Sequence, residues 1–310
     1  MYPIIFKSIY YPKIWGGRSL EKINRVIPEG DIGESFDISS NLKCENIALN
    51  GSLKGKTIKE ISEIFGEQFL GTKVSIDKFP LLVKIISTSD KLSIQVHPDD
   101  KYAKENENDS GKTEAWYILD AEKDSEIVLG TNNCDKDIFS KAIKDKSIFQ
   151  YLNIIKVKKG DFFIINSGTI HGIGKGIIIL EIQQNSDLTY RVYDFHRGRE
   201  LHVDKALDVI DFSSKINRSK NNYDINNGNI KILLNKNKYF NVEKYIIEKE
   251  LNMTSNIEHF NIITCVSGEG KIIHERREEI IRLGDSYFIP ANLGEYYIKG
   301  NLEIINTYPS

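Results

Sequence analysis

Two histidines and a glutamate lie where strand and turn geometry can aim them at one another. In Leu92-Ser-Ile-Gln-Val-His97-Pro-Asp-Asp100, an extended chain puts Ser93, Gln95 and His97 on one face and Leu92, Ile94 and Val96 on the other. In Gly111-Lys-Thr-Glu-Ala-Trp116 the same alternation groups Lys112, Glu114 and Trp116. His171 follows a Gly160-Asp turn, a short apolar run and Gly168. Two neutral imidazoles and one carboxylate are a normal donor set for zinc, which keeps an open position when catalytic. The same set suits non-haem iron. Gln95 adds an amide oxygen, a less common ligand. Each residue alone has an ordinary reading: a hydrogen-bonded histidine before proline, a solvated edge carboxylate, a histidine capping a turn.

The surrounding sequence reads as many short strands rich in Ile, Val, Tyr and Phe, punctuated by Gly, Asn and Asp. Expected strands are 80–88, 91–96, 114–119, 161–165, 176–182, 230–234, 261–266 and 286–289, a spacing that suggests a sandwich or barrel. Helical periodicity is confined to 57–69 behind the N-cap candidate Thr57, to one or two pieces in 135–152, and to 201–210. The Asn-rich run 213–228 has no periodicity and reads as a linker.

The chain has 310 residues, 40% of them hydrophobic, so it can bury a substantial core in one or two domains. Its net charge of −2 gives no support for a nucleic-acid partner. Cys44, Cys134 and Cys265 are widely spaced and form no CxxC pair, which argues against a disulfide framework or a thiolate metal site and for a reducing compartment. Pro3, Lys7, Pro12 and Lys13 break the N-terminal stretch as a signal peptide, and no run approaches the roughly 20 apolar residues of a membrane span. The expectation is a cytoplasmic protein without membrane or nucleic-acid partners.

An internal repeat adds detail. Gly160-Asp-Phe-Phe-Ile-Ile-Asn166 leads to Gly168 and His171, and Gly284-Asp-Ser-Tyr-Phe-Ile-Pro290 leads to Glu295. Both resemble the Gly-x5-Pro-x-Gly-x2-His motif of the cupin superfamily, with Asn166 replacing proline in the first copy and Glu295 replacing histidine in the second. The expected fold is mainly β: two cupin-type (jelly-roll) β-barrels with a few short helices. The divisions are a catalytic unit at 1–212, a linker at 213–229 and a metal-free unit at 230–310.

Six ordered motifs between residues 10 and 200 resemble the short bacterial type I mannose-6-phosphate isomerases: Ile14-Trp-Gly-Gly17, Ile32-Gly-Glu-Ser-Phe-Asp-Ile-Ser39, Phe79-Pro-Leu-Leu-Val-Lys84, the His97 and Glu114 segments, and Ile182-Gln-Gln-Asn-Ser-Asp-Leu-Thr-Tyr-Arg-Val-Tyr-Asp194. Phe36-Asp37 departs from the Trp-Glu of many members, and Asn41 stands near a position often held by His. The resemblance implies one zinc per chain on Gln95, His97, Glu114 and His171, and conversion between mannose 6-phosphate and fructose 6-phosphate through an enediol. It implies Arg191, Lys112 and Glu181 as catalytic residues, with Ser93, Lys112, Arg191 and Asp187 contacting the sugar phosphate. The alternatives are a non-catalytic sugar-phosphate-binding cupin and a non-haem metal oxygenase.

Overall fold

Runs such as Leu81-Leu-Val-Lys-Ile-Ile-Ser87 have few polar positions, as strands covered on both faces should. The computed structural model describes residues 1–41, 44–75, 77–213, 222–226 and 228–310 and confirms that reading. The fold is mainly β. A six-stranded antiparallel sheet runs in the order Phe162–Ile165, Glu114–Ala121, Ile177–Gln184, Leu81–Ser87, Ile32–Ile38, Ile9–Gly17. A five-stranded antiparallel sheet runs Leu152–Lys156, Glu126–Thr131, His171–Ile173, Ile94–Val96, Tyr190–Tyr193. A third, nine-stranded sheet holds the C-terminal strands, from Asn222–Asn226 to Glu295–Pro309, and also takes in Ile4–Ile5 from the other end of the chain.

The six-stranded sheet is the middle layer. Trp116, Ile118, Ile86 and Ile179 on one face pack with Ile127, Leu129 and Ile173 of the five-stranded sheet. The opposite parity, Leu81, Val83, Ile85, Leu180 and Ile182, packs with Phe240, Phe260, Ile262 and Phe288 of the C-terminal sheet. Ile94 and Val96 turn outward beneath the helices, against Phe139, Ala142 and Ala206. This leaves the Gln95 face turned inward.

Several expectations change in detail. Residues 57–69 form two helices, Ile58–Phe65 and Glu67–Leu70, because Gly66 takes φ +49 between them. Helix Asp100–Glu107, capped by Asp99, carries one buried residue, Ala103, and so has no apolar period to read. No ladder closes on itself among the described residues. The expected linker at 213–229 lies largely outside the described residues, and its later part, Asn222–Asn226, pairs as a strand with Asn229–Lys236. Gly160 and Gly284 share a left-handed backbone, φ +89 and +91, in the turns before their strands. Among the described residues no helix is long and apolar enough to cross a membrane.

Candidate active site and metal centre

The five-stranded sheet sets three site residues in one row. His171 pairs directly with Gln95, and Arg191 pairs with Gln95 from the other side. His97 follows as the chain leaves Ile94–Val96. The facing sheet supplies Glu114, and also sets Glu181 opposite both Lys84 and Trp116. The site thus forms between two layers and not on a loop.

His97, Glu114 and His171 are each 1% exposed, and their ligand atoms lie within 4.8 Å of one another. Each imidazole has its Nδ1–H committed to a carbonyl, His97 to Leu188 at 2.6 Å and His171 to Thr169 at 2.9 Å. With those donors fixed, both Nε2 lone pairs point to Glu114, at 3.5 Å each. Burial, reinforced by Lys112, pushes the His97 imidazole down to about 3, so it stays neutral. Burial likewise lowers His171. Burial alone would raise Glu114, but Lys112, 3.2 Å away, overrides it and holds the carboxyl well below its ordinary value. Neither Glu114 oxygen makes a hydrogen bond, nor does His97 Nε2. Orphaned buried acceptors that converge in this way fit a divalent cation. Gln95 presents its amide nitrogen to His171 Nε2 at 3.2 Å, while its oxygen accepts the Ser93 hydroxyl at 3.1 Å.

Beside this set lies a cleft lined by Ser93, Gln95, Lys112, His171, Glu181 and Arg191. The cleft also holds Lys13, Glu34, Lys84 and Arg199, which the sequence reading did not assign. Lys84 lies 2.9 Å from Glu181 and 3.4 Å from Glu34, and Lys13 lies 2.7 Å from Glu34. Lys112 is 3.2 Å from Glu114 and 3.9 Å from Glu181. The result is an alternating row of ammonium and carboxylate groups, half-exposed at Lys13 and buried from Glu34 to the metal set. Burial opposes the charge on Lys84, but Glu181 and Glu34 more than offset it and raise its pKa. Burial likewise opposes the charge on Glu34, and Lys84 and Lys13 reverse it, lowering its pKa. Trp116 Nε1–H donates to Glu181 at 2.9 Å and fixes that carboxylate further.

Arg191 donates to the Glu200 carbonyl at 2.9 Å, and its buried Nε has no partner. Its pKa is lowered, mainly by burial and next by Arg199. Arg199 is anchored by Asp194, which accepts from its Nε at 2.9 Å. Asp187 is the exception among the expected residues. It lines a separate groove with Asn185, Ser186 and Glu45, whereas Thr189 and Arg191 line the cleft. The missed Lys84 did leave a signal, a charged residue inside an otherwise apolar strand run, whereas Glu34 shares its strand with Ser35 and Asp37. Arg199 left none.

A family model described as the catalytic domain of phosphomannose isomerase type I matches residues 5–137, and one described as the cupin domain of mannose-6-phosphate isomerase matches residues 229–309. Mannose-6-phosphate isomerase ManA of Bacillus subtilis is 36% identical over 310 residues, covering 98% of each chain. The mannose-6-phosphate isomerase of Streptococcus mutans is 35% identical over 313 residues, covering 99% of this chain and 98% of that one. The crystal structure of the Bacillus subtilis mannose 6-phosphate isomerase superposes with a TM-score of 0.93 at 36% identity, covering 99% of both chains. A phosphomannose isomerase mutant from Salmonella typhimurium, 14% identical, shares the fold with a TM-score of 0.81 over the full length of both chains.

Proposed function

Since this chain belongs to the type I phosphomannose isomerase family, we propose that it interconverts mannose 6-phosphate and fructose 6-phosphate. The observation that carries this reading is the convergence of two imidazole lone pairs and an orphaned carboxylate beside a cleft walled by buried cations. His97, Glu114 and His171 would hold one zinc ion. Gln95 would join them after a half-turn of its amide, with Ser93 then accepting from the NH2 group. When bound, zinc supplies Lewis acidity toward a sugar oxygen without redox chemistry.

The chain's own groups account for the rest. Isomerisation moves a proton between neighbouring carbons through an enediol. Glu181 faces the cleft from the strand beside Lys84 and carries that proton. Lys84 and Lys112 place positive charge where sugar oxygens become negative. Arg191 and Arg199 lie close enough to depress Arg191, and a dianionic phosphate between them relieves that repulsion. Asp187 belongs to the outer groove and not to this contact set. The division into a catalytic unit at 1–212 and a metal-free unit at 230–310, each a cupin barrel, is supported by the separate family matches and the shared Gly160 and Gly284 turns. A cytoplasmic setting suits three free cysteines.

The test pairs metal analysis with a coupled assay for fructose 6-phosphate. One zinc per chain and turnover of mannose 6-phosphate are expected, and His97→Ala or His171→Ala should abolish both. Binding of the sugar phosphate without turnover would instead identify a sensor, and oxygen consumption by an iron-loaded chain an oxygenase.

A further inference from the structure

The C-terminal sheet reaches the candidate metal centre through side chains that touch neither metal nor substrate. Tyr239 lies in the turn between strands Asn229–Lys236 and Phe240–Ile247. Its hydroxyl donates to Asp100 Oδ2 at 2.6 Å. The other Asp100 oxygen accepts the Gly111 amide at 3.1 Å and the Gln184 side-chain amide at 3.0 Å. Gln184 in turn grips Thr113 twice: its Oε1 accepts the Thr113 N–H at 2.8 Å, and its own N–H donates to the Thr113 carbonyl at 3.1 Å. Thr113 stands between Lys112 and Glu114, so its main chain sets the reach of both. The fit is close. A Cβ on Gly111 would sit 2.4 Å from the Asp100 nitrogen.

We propose that Tyr239, Asp100 and Gln184 form a positioning relay through which the C-terminal sheet fixes Glu114 and Lys112 in register with the two histidines. Asp100 suits the central place because an ionised carboxylate only accepts hydrogen bonds, and three donors from three parts of the chain converge on it. Burial opposes its charge, but the Tyr239, Gln184 and Gly111 hydrogen bonds more than compensate and hold its carboxyl below the ordinary value. Without the Tyr239 hydroxyl, Asp100 keeps only the longer 3.8 Å contact of Lys238 to the C-terminal part and can turn toward solvent, which loosens Gln184. The inference rests on the reading of Glu114 as a metal ligand.

Tyr239→Phe keeps the ring and removes the tether. In the full-length chain we expect zinc affinity, measured by chelator competition, to fall about tenfold, the lower end for outer partners of metal ligands. We also expect the Thr113 amide to exchange with solvent about tenfold faster in the metal-free protein. Asp100→Asn should give the same two changes, and the double variant no more than either single change, as members of one relay are not additive. Wild-type zinc affinity and wild-type Thr113 exchange in a folded Tyr239→Phe protein would overturn the relay, whatever its thermal stability. If the unaltered chain bound no zinc, the metal reading would fall, and unchanged Thr113 exchange would still overturn the relay on its own.

Discussion

Arg191 is the residue whose chemistry a conservative exchange isolates. Lysine would keep the charge but lose the fork that grips two oxygens at once. Arg191→Lys should therefore fold and load metal normally while losing at least about a hundredfold in kcat/KM, roughly two broken charge-assisted contacts. Steady-state kinetics at wild-type values would remove Arg191 from the site. Glu34 offers a test by pH. Its folded pKa lies below the ordinary 4.5 because of Lys84 and Lys13, so the stability it contributes is fully present above that value and is lost as pH falls through the lower folded pKa. Glu34→Gln, which strands buried Lys84 beside one carboxylate fewer, should cost roughly 3 kcal/mol at neutral pH. Urea titrations should show that gap closing below about pH 4.5. A gap that did not change with pH would mean the pair contributes no charge stabilisation. The His97, Glu114 and His171 cluster was foreshadowed in the sequence: strand alternation groups Gln95 with His97 and Lys112 with Glu114, and the cupin-like turn brings in His171. Lys84 and Glu34 were not assigned, since their meaning lies in cross-strand register: Glu181 sits opposite Lys84, and nothing along the chain announces that pairing.

At the scale of elements, the strands were read well where they are sealed between layers, as Leu81–Ser87 and Ile177–Gln184 are. They were read poorly where pairing lengthens them: Asn261–His274 runs well past its apolar core because a hairpin with Arg277–Arg282 extends it. Helix Asp100–Glu107 was missed because its polar sequence earns its place through the Asp99 cap and the Asp100 contacts rather than an apolar stripe. The helix at Ile58–Phe65 is the opposite case. Its start is fixed by a capping box, with Thr57 accepting the Glu60 N–H at 3.1 Å and Glu60 accepting the Thr57 N–H at 2.7 Å. Thr57→Ala should cost about 1 kcal/mol in chemical denaturation and leave isomerisation unchanged, because that helix lines no part of the metal cleft. A kinetic defect in this variant would show that the helix communicates with the cleft.

At the scale of the molecule, the halves are cross-linked more tightly than a linker between two units suggested. One hydrophobic cluster joins Ile85 and Leu180 to Phe260 and Phe288. Half-buried Arg25 bonds both Asp37 and the Gly284 carbonyl, tying the catalytic strands to the second repeat. Calorimetry should therefore show a single transition, with calorimetric and van't Hoff enthalpies equal. Two resolved transitions would mean that the layers unfold as independent bodies. The pairing of Ile4 with Phe288 carries one more consequence, for synthesis. Ile4 leaves a ribosome long before Phe288, which at ordinary elongation speeds follows only tens of seconds later. Throughout that interval the nascent chain carries an unpaired apolar edge. The sheet therefore cannot take in Ile4–Ile5 until Phe288 has emerged, which makes the newborn chain a client for whatever shields strand edges at the exit tunnel.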